Sequence, residues 1–134
     1  YPEKDAKAAI QLQQIFYRMT KYFIENFNTA NFLTEALYHS KAASYFTNYR
    51  VQHFIFVRTL IEQAQREGDI CSDMNSYEIY TTLQSILIQP IIIKNNILQQ
   101  HKNKPLMDKL KLIDVSSESS LQKRLRVAFK GLRP

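Results

Sequence analysis

The stretch that decides the fold is SYFTNYRVQHFIFVRTLIEQAQRE, which runs from Ser44 to Glu67 without a glycine or a proline. Apolar side chains recur along it at steps of three and four residues, which is the spacing of one face of an α-helix. Gly68 follows and can adopt the left-handed conformation that closes a helix C-terminus. The sequence therefore predicts a long helix whose inner stripe is Phe46, Tyr49, His53, Val57, Leu60, Ile61 and Ala64.

Four further helices are predicted from the same spacing and from their end signals. Asn75 followed by Glu78 matches the capping box that opens a helix, and Ser116 or Ser117 can cap the last one. Residues 101–114 are rich in lysine and are predicted to be a loop with a brief turn. No segment alternates with the period of a strand. The prediction is one all-α domain, a bundle of about five helices over residues 5–27, 30–40, 44–67, 76–99 and 118–130.

The helix predicted over 76–99 has two unusual features. Two apolar faces coexist on it, and the second carries Ile79, Ile86 and Ile93. Because the other helices of so small a domain can hardly cover both faces, a partner chain is expected to cover one of them. Pro90 lacks an amide hydrogen and clashes with the preceding turn, so the helix must either kink there or break and restart.

Composition excludes several classes of protein. The chain has 134 residues, of which 45% are hydrophobic and 22% are charged, and this balance is typical of one compact domain rather than of a disordered segment. Cys71 is the single cysteine, so an intrachain disulfide is impossible and a reducing cytoplasm is the expected compartment. No apolar run reaches the roughly 18 residues of a membrane span, and residues 1–5 do not resemble a signal peptide.

Catalytic and metal-binding motifs are not found in the sequence. With Gly68 and Gly131 as the only glycines, a phosphate-cradling loop cannot be built. No HExxH or Glu-x-x-His pair is present, so neither a metal nor a cofactor is predicted. His53 lies on a core-facing stripe, where a hydrogen-bonded structural histidine is favoured over a catalytic one. The protein is therefore not expected to be an enzyme.

The positive charge is concentrated at one end of the chain. The formal net charge is +6, and residues 99–134 hold nine basic and three acidic residues. Such an end could approach nucleic acid or an anionic surface, but a solvated helix face and linker have the same composition. The sequence favours the second interpretation.

The aromatic residues are concentrated at the other end. Thirteen of the 16 Phe and Tyr residues lie at or before residue 56. They are consistent with a packed core that has tyrosines at its edge, and equally with an apolar ligand cavity that has a few polar groups. At Phe54, Ile55 and Phe56 the long helix is apolar on nearly every side, so other helices are expected to surround it there.

The segment FVRTLIEQAQREGDI, from Phe56 to Ile70, together with Asp73 and an apolar helix from Tyr77, resembles the C-terminal domain of TetR/AcrR-family transcriptional regulators. In that family a long helix ends in a charged residue plus glycine, a short turn with an aspartate follows, and the next helix begins. The order and lengths of the other predicted helices agree, so the resemblance covers nearly the whole chain.

The resemblance implies a bacterial, cytoplasmic transcriptional regulator that acts as a homodimer. The last two long helices would pack with their mates as a four-helix bundle, and an effector would change the spacing of paired DNA-reading heads. The helix-turn-helix domain that binds DNA in this family is absent from this sequence, so DNA is an expected partner only through that missing N-terminal domain. The expected dimer interface comprises Ile79, Ile86, Ile93, Leu121, Leu125 and Phe129.

An effector pocket among the earlier helices is also implied by the resemblance. The side chains at that place suggest a small, flat or elongated, largely apolar or aromatic ligand. Arg18, Arg50 or Arg58 would hold a carboxylate if one of them pointed inward, although solvent exposure is expected for each. The candidate ligand-binding residues are Phe16, Met19, Phe23, Tyr49, His53, Phe56, Tyr80 and Leu83.

A second function is consistent with the same helices. The chain would then be a helical protein–protein interaction module, which binds a partner protein or peptide through the two-faced helix and has no small-molecule pocket. Ligand binding separates the two functions, because a ligand of the native state must raise the melting temperature.

Overall fold

The computed structural model of the chain describes residues 6–26, 40–100 and 102–134, and within residues 40–50 it describes the backbone and only the side chain of Asn48. These ranges contain six helices and no strand, which confirms the all-α prediction. The predicted helix over 30–40 lies outside the described residues except for its last position. The six helices are α1 (Ala8–Glu25), α2 (Ser40–Arg66), α3 (Ser76–Leu87), α4 (Gln89–Gln100), α5 (Lys104–Leu112) and α6 (Glu118–Gly131).

One hydrophobic core joins α1, α2, α3 and α6. Helix α1 packs against α2, α3 and α6, while α3 packs against α2 and α6. Helices α4 and α5 form a hairpin that follows α3, and α4 adds Ile91 and Ile92 to the buried residues. The largest fully buried side chains are those of Phe16, Leu12, Ile61, Ile70, Ile79, Leu83, Leu87, Leu121, Val57 and Thr20.

The turn after α2 forms as predicted. Gly68 has φ of 81°, the left-handed conformation in which L side chains are strained. Beyond it, the Gln65 side chain donates to the carbonyls of Cys71 and Met74 at 3.0 and 2.8 Å. The Cys71 amide donates to the Leu132 carbonyl at 2.7 Å. These bonds fix the connection between α2 and α3 against the C-terminal end of α6.

Two predicted helix caps are confirmed. The Glu78 amide donates to Asn75 Oδ1 at 2.9 Å, and the Asn75 amide donates to Glu78 Oε1 at 3.2 Å, so the capping box that opens α3 is complete. At the start of α6, the Ser120 amide donates to Ser117 Oγ at 3.1 Å. Ser117, and not Ser116, is therefore the N-cap of α6.

The helix predicted over 76–99 is divided in two. Helix α3 ends at Leu87 and α4 begins at Gln89, so breaking and restarting is the outcome that Pro90 imposes. The Leu87 carbonyl accepts a hydrogen bond at 3.1 Å from Nη2 of Arg124, which reaches across from α6. Because this guanidinium satisfies a carbonyl at the end of α3, it stabilises the break and ties it to α6.

The prediction of a loop over 101–114 is wrong for nine of its residues, which form α5. The Leu106 amide donates to Asn103 Oδ1 at 3.1 Å, and a proline in the first turn needs no amide partner there. Met107 is buried and holds α5 against the rest of the domain. Among the described residues, no helix is long and apolar enough to cross a lipid bilayer.

Candidate functional site

Among the described residues, five rings meet where α1, α2 and α3 pack together, and we call them the aromatic cluster: Phe16, His53, Phe54, Tyr77 and Tyr80. The ring centroids of Phe16 and Tyr80 are 6.1 Å apart, and those of Phe54 and Tyr80 are 5.3 Å apart. Both pairs meet edge to face, which is a favourable arrangement for aromatic quadrupoles. Tyr80 is thus the ring that connects α1 and α2 to α3.

A hydrogen-bonded polar chain runs through this apolar surrounding. Gln84 Nε2 donates to the Tyr80 hydroxyl at 3.1 Å, and that hydroxyl lies 2.6 Å from His53 Nδ1. The hydroxyl donates to Nδ1 when the imidazole carries its hydrogen on Nε2, and it accepts from Nδ1 in the other tautomer. Either tautomer of the neutral imidazole therefore keeps the polar chain.

Burial of the His53 imidazole favours its neutral form. Desolvation lowers the pKa of His53 below its ordinary value of 6.5, because the charged form loses more hydration than the neutral form. The partly buried imidazole is therefore more stable in its neutral form than as the imidazolium.

A pH dependence of folding follows from this arrangement. The unfolded chain binds a proton at His53 more readily than the native state, so the contribution of His53 to stability is complete above pH 6.5. We expect the free energy of unfolding to fall as the pH drops below 6.5 toward the lowered native pKa. Urea titrations of the wild type and of His53→Gln between pH 5 and 8 measure it.

The His53→Gln variant is the control for the wild type, because glutamine can still form a hydrogen bond with Tyr80 and cannot be protonated between pH 5 and 8. Other groups titrate equally in both proteins, so the difference between the two curves isolates His53. A difference that does not change with pH contradicts the assignment of a neutral, desolvated imidazole.

The eight predicted ligand-binding residues do not all come together. Phe16, His53 and Tyr80 are in mutual ring contact, and Leu83 is buried one turn beyond Tyr80 on α3. Met19 and Phe23 are partly buried and pack against the same core. The side chain of Tyr49 lies outside the described residues. Phe16, Tyr80 and Leu83 are buried side chains of the hydrophobic core.

Phe56, on α2, does not join these residues. Its side chain is 53% exposed, and that of neighbouring Ile55 is 60% exposed. The expectation that other helices surround α2 at this level is therefore wrong for these two side chains. The reason is geometric, because Val57 and Ile61 define the buried side of α2 and residues 55 and 56 point away from it.

The arginines predicted as possible carboxylate anchors do not face the cluster. Arg58 is exposed and pairs with Glu62 on its own helix at 2.9 Å, and Arg18 is exposed on α1. The side chain of Arg50 lies outside the described residues. No described arginine therefore provides an anchor for an acidic ligand at the aromatic cluster.

Four of the six residues predicted for a dimer interface are core residues of the single chain. Ile79, Leu121, Leu125 and Phe129 are buried between α3, α6 and their neighbours. The apolar stripe of α6 is covered by its own molecule because α6 packs against both α1 and α3. Only Ile86, which is partly buried, and Ile93, which is 52% exposed, remain available to a partner.

Three members of the arrangement were missed by the sequence predictions. Phe54 and Tyr77 belong to the aromatic cluster, with centroids 5.8 Å apart, and Gln84 begins the polar chain. The signal for Gln84 is its position four residues after Tyr80, which places the two on one helix face. A polar residue at that spacing within an apolar run indicates a buried hydrogen bond rather than an interruption.

A groove of about 500 Å³ lies elsewhere, between the start of α1, the turn after α2 and the end of α6. Ile10 and Phe129 provide its apolar wall, and its charged lining residues are Lys7, Asp69 and Arg133. It shares no lining residue with the aromatic cluster. Among the described residues, no group of three or more His, Cys, Asp or Glu side chains is placed to hold a metal ion.

The chain was compared with known protein families, curated proteins and solved structures. No family model, no curated protein and no solved structure matches the chain.

Proposed function

We propose that this chain is the effector-sensing and homodimerisation domain of a TetR-like transcriptional regulator. It binds a small, largely apolar ligand beside the aromatic cluster and acts on DNA through a helix-turn-helix domain outside this sequence. The observation that carries the proposal is the polar chain from Gln84 through Tyr80 to His53, set among rings from three helices. Apolar walls with a few convergent polar groups are typical of small-molecule sites.

The chemistry of the site selects a neutral, aromatic or aliphatic ligand. His53 and Phe54 of the cluster are partly buried, as are Met19 and Phe23, which pack against the same core. These side chains offer apolar contact to such a molecule. His53 is neutral and the described arginines near this level are exposed, so no fixed charge favours an anion. A polar atom of the ligand would exchange a hydrogen bond with the chain at His53 or Tyr80.

Ligand binding at this place can act on the whole bundle. Phe16, His53 and Tyr80 belong to three different helices, so a molecule that displaces or orders these rings changes how α1, α2 and α3 pack. A ligand shifts the domain between two arrangements only if it binds one of them more tightly. The polar chain provides such a difference, because its hydrogen bonds depend on the relative positions of α2 and α3.

A thermal-shift screen with neutral aromatic and aliphatic compounds tests the proposal. We expect at least one compound to raise the melting temperature of the wild type, because a ligand of the native state stabilises it. For that compound, Tyr80→Phe should weaken binding about five-fold, which corresponds to one lost hydrogen bond of roughly 1 kcal/mol. Isothermal titration calorimetry measures the change.

Tyr77→Phe is the matched control for this experiment. It removes the same hydroxyl from the same helix, but Tyr77 is 61% exposed and its hydroxyl is not part of the polar chain. Its affinity for the compound should equal that of the wild type. If both variants bind as the wild type does, the ligand does not use the polar chain and the proposed site is wrong.

A second candidate function has one observation in its favour. Val51, Ile55 and Phe56 form an exposed apolar patch on α2, with spacing that places them on one side of the helix. A helical protein–protein interaction module would use such a patch to bind an amphipathic partner. If no compound in a broad library raised the melting temperature, this function would be favoured over effector sensing.

A further inference from the structure

A row of positive charges follows the exposed face of α6 and the turn after it, and we call it the basic stripe: Lys123, Arg126, Lys130 and Arg133. Steps of three and four residues place the first three on one side of the helix axis. Arg133 follows the end of α6 at Gly131, and its amide donates to the Lys130 carbonyl at 3.3 Å. The buried residues of α6, including Leu121, Leu125 and Ala128, occupy the other side of the helix. All four basic side chains are exposed.

No acidic side chain of α6 neutralises this row. Glu118 is the acidic residue of the helix, and it turns toward α1, where it accepts from the Tyr17 hydroxyl at 2.7 Å and pairs with Lys21 at 3.6 Å. Within the described residues, neither of the two ion pairs involves a member of the basic stripe. The stripe is therefore a concentrated positive surface and not one half of an internal ion-pair network.

The charge pattern also argues against α6 as a contact between two copies of this chain. A two-fold axis would bring each copy's basic stripe against the same stripe of its mate. Like charges held together in this way are destabilising and would need counterions between them. The occupant of this face should instead carry negative charge along a line.

The dimensions fit the backbone of a nucleic acid. Lys123 and Lys130 are seven residues apart, which is about 10 Å along a helix, and Arg133 extends the row beyond the end of α6. One strand of duplex DNA presents a phosphate every ~3.4 Å of its axis, so about four phosphates face the four cations. Val127, which is 63% exposed, is the one large apolar side chain that α6 exposes beside the stripe, and a single valine is too little for insertion into a lipid surface.

We propose that the basic stripe of α6 binds the phosphate backbone of duplex nucleic acid without reading its sequence. This contact is additional to any helix-turn-helix domain and is independent of the ligand site at the aromatic cluster. Arginine and lysine at full exposure give electrostatic, counterion-releasing binding that depends steeply on salt.

The test is fluorescence anisotropy of a labelled 20-base-pair duplex of arbitrary sequence, titrated with the full chain at several salt concentrations. If four phosphates are neutralised, the logarithm of the association constant should fall with the logarithm of salt at a slope of about −3.6. Affinity should then drop roughly 100-fold between 50 and 200 mM salt. Replacing all four residues of the basic stripe by glutamine should abolish this binding.

Helix α5, together with Lys102 just before it, offers a matched control variant that loses the same amount of positive charge. Lys102, Lys104, Lys109 and Lys111 are also exposed, and their replacement by glutamine removes four positive charges elsewhere on the molecule. This variant should keep a slope within about one unit of the wild type. Equal losses in both variants would show that only net charge matters and would overturn the proposal.

Two further measurements keep the outcome decisive. Circular dichroism verifies that each variant is folded. If the variant with four substitutions is unfolded, the double variant Arg126→Gln with Arg133→Gln replaces it, and we expect this variant to halve the slope of affinity against salt. Vesicles of phosphatidylserine and phosphatidylcholine test the lipid alternative. Tighter, stripe-dependent binding to vesicles than to the duplex, or no binding to the duplex at 50 mM salt, would overturn the assignment to nucleic acid.

Discussion

Replacing Phe16 by alanine is expected to lower the free energy of unfolding by about 3–5 kcal/mol, the cost of emptying a large aromatic site in a packed core. Phe16 is completely buried, and its ring meets those of His53 and Tyr80 from two other helices. The cavity left by alanine would remove contacts to both rings at once. Urea denaturation followed by circular dichroism at pH 7.5 measures the loss.

Phe56→Ala is the control for this prediction, because it removes the same side chain from a site that is 53% exposed. Its expected cost is below about 1 kcal/mol, since little apolar surface leaves water there on folding. Both residues were candidates for the same ligand site, so the pair distinguishes an interior ring from a surface ring. Similar losses in the two variants would contradict the placement of Phe56 outside the core.

The parts of the fold that could be predicted are those determined by neighbouring residues. A glycine after a long apolar stripe needs only its own backbone freedom to close α2, and Gly68 does so. The capping box of Asn75 and Glu78 spans three residues and is complete within them. The same holds for Ser117 at the start of α6. Sequence spacing is sufficient for such features because the atoms that interact are close along the chain.

The parts that could not be predicted depend on which helix covers which face. Periodicity shows that α2 is apolar near Ile55 and Phe56, but it does not show that α1 and α3 pack on the other side. The same limit applies to α6, because periodicity alone does not show whether its apolar stripe through Leu125 faces a second copy or the chain's own core. Helix α5 was missed for a different reason, since it has one buried residue, Met107, and its stability depends on its end signals.

In the candidate site, too, features set by local spacing could be predicted and features set by helix packing could not. Phe16, Tyr80 and Leu83 could be placed on inward faces from spacing alone, and they are buried. The hydrogen bonds from Gln84 to Tyr80 and on to His53 could not be predicted, because the second bond joins residues 27 positions apart on different helices. Aromatic composition therefore indicated the region, and the packing of α2 against α3 determined its polar geometry.

Changing Ile86 and Ile93 together to glutamate is expected to convert a homodimer into a monomer. These are the members of the predicted interface that the chain's own core does not fully cover, and Ile93 is 52% exposed. Carboxylates buried against their symmetry mates would be both desolvated and repelled, which opposes association. Light scattering at micromolar concentration should give twice 15.8 kDa for the wild type and 15.8 kDa for the variant.

Val51→Glu with Ile55→Glu is the matched control for the dimer prediction, because it places two carboxylates on the exposed apolar patch of α2 instead. This variant should remain a dimer. Ile93→Glu alone gives a second variant that leaves the partly buried Ile86 intact and should still weaken association. A wild type that is monomeric at all accessible concentrations would exclude the dimer, and dissociation caused only by the α2 variant would move the interface to α2.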